Sequence, residues 1–277
     1  MTSESPLITL TTDFGTADSY VAQMKGILLG IQPQARLVDV THEIPPQDVL
    51  RAALMLPELI EAFPKGTYHL IVVDPGVGTS RKILAAEIND QRFIAPDNGL
   101  LDPLLKRYPK STLYELTNSK YWRESVCSTF HGRDIMAPAI ANWSRGVSLQ
   151  DLGSELNSIV ELDLPQPQVT DSQVIGTILY VDHFGNLVSN IRREHLKSFE
   201  KRTADPLIRL ERDGSLRFID SGISQTYADP LPGHGLILWG SSGYLEVALH
   251  GGDAARKMKS KPGETLSLDW RTVHERI

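Results

Sequence analysis

Tyr68-His69-Leu70-Ile71-Val72-Val73-Asp74-Pro75-Gly76-Val77-Gly78 is the stretch on which the fold turns. From Tyr68 to Val73 it is a near-continuous apolar run, the pattern of a central strand buried on both faces of a sheet. It then breaks into a carboxylate, a proline and two glycines. A strand buried on both sides needs helices over it, and helical periodicity is found nearby. Val21, Met24, Leu28 and Ile31 fall three and four apart, one face of a helix that Asp18 or Ser19 would cap. Pro45-Pro46 opens another through Val49, Leu54, Leu59 and Phe63, with Pro57 expected to kink or interrupt it. Strands are expected at 8–11, 36–41, 83–88, 93–95 and 112–116, and further helices at 100–107 and 135–143. This order predicts an α/β fold: a layered N-terminal domain around a central, mostly parallel sheet.

Residues 161–172 hold two prolines among polar side chains and read as a linker. Beyond it the helical periodicity stops. Strand-like runs at 174–181, 187–191, 208–210, 216–218, 236–239, 244–249 and 265–270 are punctuated by glycines, and Arg212-Asp213-Gly214-Ser215 is a hairpin signal. The expected division is an N-terminal domain over 1–165 and a smaller C-terminal β-barrel domain over 172–277.

Composition narrows the function. The chain has 277 residues, 41% of them apolar and 22% charged, which argues against disorder. A net charge of −6 gives no basic footprint, so a nucleic acid is not an expected partner. Cys127 is the only cysteine, which excludes an intrachain disulfide and a Cys-rich zinc site. No apolar run approaches the ~18–20 residues of a membrane span. No basic segment leading into an apolar stretch opens the chain. A cytoplasmic protein acting on a small molecule is expected, without a membrane partner.

Several predicted strands of the first half end in polar residues: Asp13, His42 and Glu43, Asp74, and Asp97 with Asn98. Open α/β sheets bind ligands beyond the carboxyl ends of their strands. Asp74-Pro75-Gly76-Val77-Gly78 fits either a ligand-facing loop or a turn capped by its own aspartate. It lacks the Gly-Lys-Ser/Thr ending of a phosphate loop. Phe130-His131-Gly132-Arg133-Asp134 sets a histidine at a helix start, where it would orient water or simply cap. The remaining histidines show no His-x-x-x-His spacing, so no metal site is expected. In the second half, Asp182-His183-Phe184-Gly185-Asn186 joins a carboxylate, an aromatic face and an amide. That trio suits a nucleoside, and equally an ordinary hairpin turn. Ser241-Ser242-Gly243-Tyr244 offers hydroxyls to a carboxylate, or is a plain polar turn.

Taken in order, Thr12-Asp13-Phe14-Gly15, the 38–46 segment Val-Asp-Val-Thr-His-Glu-Ile-Pro-Pro, Val73-Asp74-Pro75-Gly76-Val77-Gly78, Ala95-Pro96-Asp97-Asn98-Gly99-Leu100 and the three segments just quoted resemble the S-adenosylmethionine (SAM) hydrolases, also called SAM hydroxide adenosyltransferases, which are related to the fluorinase and chlorinase enzymes. The resemblance runs through both predicted domains. It implies an α/β domain with a small C-terminal barrel, a homotrimer with the site between subunits, and attack of water or hydroxide on ribose C5′ to give adenosine and L-methionine. No cofactor is implied, since SAM is the substrate and a sulfonium departs as a neutral thioether. The resemblance assigns the positioning and activation of the attacking water to Asp74, Arg81 and His131. It implies that Asp13 meets the ribose hydroxyls, Asp182 the methionine ammonium and Ser241 its carboxylate. Phe184 and Tyr227 would flank adenine, Asn186 would pair with its edge, and Asp18 would lie on the methionine side. Halogenases are similar but carry a halide-binding hydroxyl next to the His131 position, where this chain has Gly132. They have an Arg where Ser242 stands and an aromatic wall where Gln47 stands. The alternatives are a chlorinase-like halogenase and a non-catalytic adenosine- or SAM-binding protein.

Overall fold

The computed structural model describes residues 5–202 and 205–270. The chain divides into two compact units, Met1–Asp163 and Leu164–Ile277.

In the first unit the elements are β1 (Leu7–Thr12), α1 (Tyr20–Ile31), β2 (Arg36–Thr41), α2 (Val49–Ala62), β3 (Tyr68–Val72), β4 (Ile83–Ile88), β5 (Gln91–Pro96), α3 (Asp102–Arg107), β6 (Thr112–Leu116), α4 (Ala137–Ser144) and β7 (Gly153–Glu155). The seven strands form one sheet in the order β2-β1-β3-β5-β4-β6-β7. Alternation along the apolar run divides its side chains between two cores. Leu70 and Val72 enter one with Met24 and Leu28 of α1 and Ile140 of α4. Ile71 and Val73 enter the other with Ala52 and Leu56 of α2 and Leu104 of α3. His69, the polar residue of this run, is fully buried against Phe93. Its ring nitrogens meet Thr9 Oγ1 at 2.8 Å and Gln91 Oε1 at 2.7 Å, and burial holds its pKa down to about 4. It is therefore neutral near pH 7 and adds no charge to the core.

The sheet is mixed, not mostly parallel. Pairings β1/β2, β1/β3 and β3/β5 are parallel, whereas β5/β4, β4/β6 and β6/β7 are antiparallel. Asn89 and Asp90 cause the reversal. Both have left-handed backbone, φ 49° and 61°, the geometry of a tight two-residue hairpin turn. Pro57 does not interrupt α2, which runs continuously from Val49 to Ala62.

The second unit is one sheet built from β8 (Gln168–Val169), β9 (Gln173–Val181), β10 (Leu187–Arg192), β11 (Leu207–Arg212), β12 (Ser215–Ser221), β13 (Gly235–Trp239), β14 (Tyr244–Leu249) and β15 (Thr265–Asp269). Its path is β12-β11-β15-β9-β10-β14-β13, with β8 on β9, and every pairing is antiparallel. The sheet curls as a half-barrel around Val174, Ile178, Leu187, Ile208, Ile237 and Leu266. Asp213 and Gly214, φ 49° and 73°, make the tight turn between β11 and β12.

Candidate active site

The chain leaves β3 at Val73, and Asp74 begins a compact turn. Val77 N–H donates to the Asp74 carbonyl at 3.2 Å, and the Thr79 hydroxyl to the Gly76 carbonyl at 2.7 Å. This coiling returns Arg81 onto Asp74. Arg81 Nε donates to both carboxylate oxygens, at 2.9 and 3.0 Å. Its Nη2 donates to Asp74 Oδ2 and, at 2.9 Å, to His131 Nδ1. One guanidinium thus bridges a carboxylate and an imidazole drawn from separate loops. The Arg81 and Asp74 side chains are only 10% and 6% exposed, so the pair is shielded from bulk water.

Gly78 brings the two loops together. Its φ is +79°, and a Cβ there would lie 2.5 Å from the Ser128 carbonyl oxygen. Glycine alone permits both the left-handed backbone and this approach.

An arginine only donates, so His131 Nδ1 must offer a lone pair to it. The neutral ring then carries its proton on Nε2. Burial and the adjacent Arg81 charge hold the His131 pKa below its ordinary value, so the neutral form prevails near pH 7. His131 leads into a π-helical turn, Gly132–Met136. Asp134, fully buried, anchors that turn. It accepts from Arg133 at 2.7 and 2.8 Å, from Arg123 at 2.8 Å and from Cys127 N–H at 2.9 Å. These bonds, Arg133 foremost, hold its carboxyl well below the usual carboxylate range.

Asp13, Asp74 and His131 line one cleft of about 270 Å³ with Phe14, Gln47 and Phe130. Phe14, Tyr20 and Phe130 pack ring against ring beside it, with centroids 5.3–5.7 Å apart. Asp13 Oδ2 accepts from Gln47 N–H at 2.7 Å, bracing a non-glycine residue held at φ +66°. Asp18 is exposed and is not among the residues lining this cleft.

In the second unit Phe184, Asn186 and Tyr227 line a cleft of about 500 Å³ with Leu249, Gly251 and Gly252. Phe184 is 74% exposed and Tyr227 46%, so both aromatic rings present surface to solvent at this cleft. Asp182 organises the β9–β10 turn. Its Oδ1 accepts from Phe184 N–H and Asn186 N–H at 2.9 and 2.8 Å, and its Oδ2 from Asn186 Nδ2 at 2.9 Å. The Asn186 amide oxygen and its second N–H take no part in these turn bonds. Ser241 is exposed on the β13–β14 turn and does not line the cleft.

Sequence reasoning did not single out Phe14, Phe130 or Asp134 as contributors, and it placed Asn98 at a strand end without a role. The Asn98 amide donates to the Val73 carbonyl at 2.9 Å and so steadies the peptide that carries Asp74. Each lies within a quoted motif, but only the tertiary fold gives it a partner.

Two family models match: the SAM hydroxide adenosyltransferase N-terminal domain over residues 8–153 and its C-terminal domain over 176–267. A protein of Salinispora tropica named (R)-S-adenosyl-L-methionine hydrolase is 37% identical, with 95% of this chain and 98% of that protein covered. One of the same name from Thermus thermophilus is 33% identical over 93% of this chain and 97% of its own. A fluorinase of an Actinoplanes species is 31% identical over 95% and 97%. Among solved structures, an uncharacterised conserved protein of Thermotoga maritima matches with a TM-score of 0.86 at 34% identity, over 95% of this chain and 99% of that one.

Proposed function

The chain belongs to the SAM hydroxide adenosyltransferase family, and from that membership and the Asp74–Arg81–His131 geometry we propose how it works. It is an enzyme that hydrolyses SAM to adenosine and L-methionine. The observation that carries the mechanism is the guanidinium bridge: Arg81 on Asp74 at 2.9 Å and on His131 at 2.9 Å.

Water or hydroxide attacks ribose C5′, the new C–O bond forms as the C–S bond breaks, and methionine leaves as a neutral thioether. The leaving group needs no acid. The water needs orientation and a place for its proton. With Nδ1 committed to Arg81, His131 presents Nε2–H and serves as a donor to the nucleophile's oxygen. Asp74 Oδ1 retains a lone pair and takes the proton. Arg81 holds both partners and, always charged, lowers the energy of hydroxide beside it. A guanidinium occupies the space between carboxylate and imidazole that a bridging cation would need, so the proposed reaction uses no metal.

The remaining contacts follow the same reading. Asp13 Oδ1 is free for the ribose hydroxyls, since Oδ2 holds Gln47. Phe184 and Tyr227 sandwich adenine while Asn186 pairs with its edge. Asp182 Oδ2 meets the methionine ammonium and Ser241 the carboxylate, with Asp18 on the methionine side. We read the curled C-terminal sheet as the family's small barrel, and the active protein as a cytoplasmic homotrimer whose sites lie between subunits. One exposed free thiol, Cys127, suits a reducing compartment.

Halide transfer is disfavoured at Gly132. A Cβ there would fall 2.9 Å from Val72 Cγ1, so a hydroxyl-bearing side chain would have to displace the stiff valine beneath it. Hydrolysis in ¹⁸O-labelled water tests the mechanism: the label is expected at the adenosine 5′ oxygen. Adenosine and methionine formed without it would eliminate direct displacement. A chlorinated nucleoside made in chloride would favour the halogenase reading.

A further inference from the structure

Glu246, near the middle of β14, is 6% exposed, and a carboxylate so deep in a sheet calls for a physical reason. On one side its Oε2 accepts from the Tyr227 hydroxyl at 3.1 Å. On the other it covers Gly240: a methyl group on that residue would lie 1.6 Å from Oε1. Gly240 opens the turn that carries Ser241 and Ser242. That turn is closed by Gly243 N–H on the Gly240 carbonyl at 3.0 Å and Gly240 N–H on the Tyr244 carbonyl at 2.9 Å. The same carboxylate therefore touches the aromatic wall of the 500 Å³ cleft and the root of the serine turn.

We propose that Glu246 is a positioning residue for substrate recognition, fixing the Tyr227 ring that flanks adenine and the Gly240–Gly243 turn that presents Ser241 to the methionine carboxylate. This rests on the SAM reading of the cleft. A buried acceptor with a full charge binds a phenol more tightly than a neutral one does. It also locks the ring angle, which an exposed tyrosine cannot hold alone. Burial and the nearby Glu246 charge push the Tyr227 pKa up to about 12, so the hydroxyl stays a donor throughout the neutral range. The link makes the two ends of the substrate interdependent: disturbing the turn should loosen the adenine wall.

The test compares wild type with Glu246→Ala, Glu246→Gln, Gly240→Ala and Tyr227→Phe, using adenosine Kd by calorimetry and steady-state kinetics with SAM. Glu246→Ala should raise adenosine Kd and SAM KM by about tenfold, with the loss falling on KM rather than kcat. Glu246→Gln, still an acceptor for Tyr227, should recover most of it. Gly240→Ala, whose methyl displaces the carboxylate, should reproduce the Glu246→Ala defect and supplies the answer if that variant does not fold. Adding Tyr227→Phe to Glu246→Ala should cost little more, because the shared bond is already gone. Losses that multiply in the double variant, or a fall in kcat at unchanged KM, would overturn the proposal. A wild-type protein that binds adenosine but leaves SAM intact would defeat the hydrolase reading instead. The Glu246 proposal would then stand or fall on the adenosine Kd series alone.

Discussion

Arg81 makes one bond that decides the division of labour between its neighbours. Because it donates to His131 Nδ1, the imidazole cannot use that nitrogen as a base without losing its support. Asp74→Asn keeps the shape of the set but removes the proton acceptor, and kcat should fall by ~100-fold or more with little change in KM. His131→Ala should do likewise through loss of the donor. The sign of the pH effect follows from the lowered His131 pKa: the neutral ring is the working form. Turnover should therefore be flat above neutrality and decline as pH falls through a value below the ordinary histidine pKa, when protonation of Nδ1 ejects Arg81. A kcat–pH profile that declined at acid pH just as steeply in His131→Ala would refute this assignment. Asp74 and His131 could be singled out from sequence because each sits at a predicted element end. Arg81 could not, since no local pattern marks the eighth residue of a turn, and only the family resemblance pointed to it.

The turn from Asp74 to Arg81 and the segment from Cys127 to Met136 are the elements that make the site. Neither is regular secondary structure of the kind periodicity detects. The first depends on Gly78, whose backbone lies against Ser128. Gly78→Ala adds both left-handed strain and a clash with a carbonyl oxygen, and should lower stability by roughly 1–3 kcal/mol. It should also part Arg81 from His131. Urea unfolding and adenosine release measured on one preparation check both; an unchanged turnover number would mean the loops are held by something else. The second segment was legible only as a helix start. A π-turn needs a residue more than an α-turn, and what stabilises it here is Asp134 collecting four donors, which no sequence spacing announces.

For the molecule as a whole, the alternation of helix and strand and the later loss of helical period were enough to read an α/β chain with a strand-rich second half. The direction of half the first sheet was not. Six-residue strands read the same parallel or antiparallel, and the deciding Asn89-Asp90 turn lacks the glycine that usually marks one. Each unit carries its own share of the proposed contacts, Asp74 in the first and Asn186 in the second. If sites form between subunits, co-expressing Asp74→Asn with Asn186→Ala chains should restore about a quarter of wild-type sites by random assortment in a closed ring. Complete inactivity of the mixed oligomer, purified by two tags, would place both residues on one chain's site. The contact between Gly132 and Val72 has an evolutionary reading as well. A lineage moving from oxygen to halogen transfer by acquiring a hydroxyl at 132 would have to shift or shrink residue 72 as well, so the two changes are expected to travel together. A Gly132→Ser library recovering soluble protein without any change at 72 would remove that historical constraint.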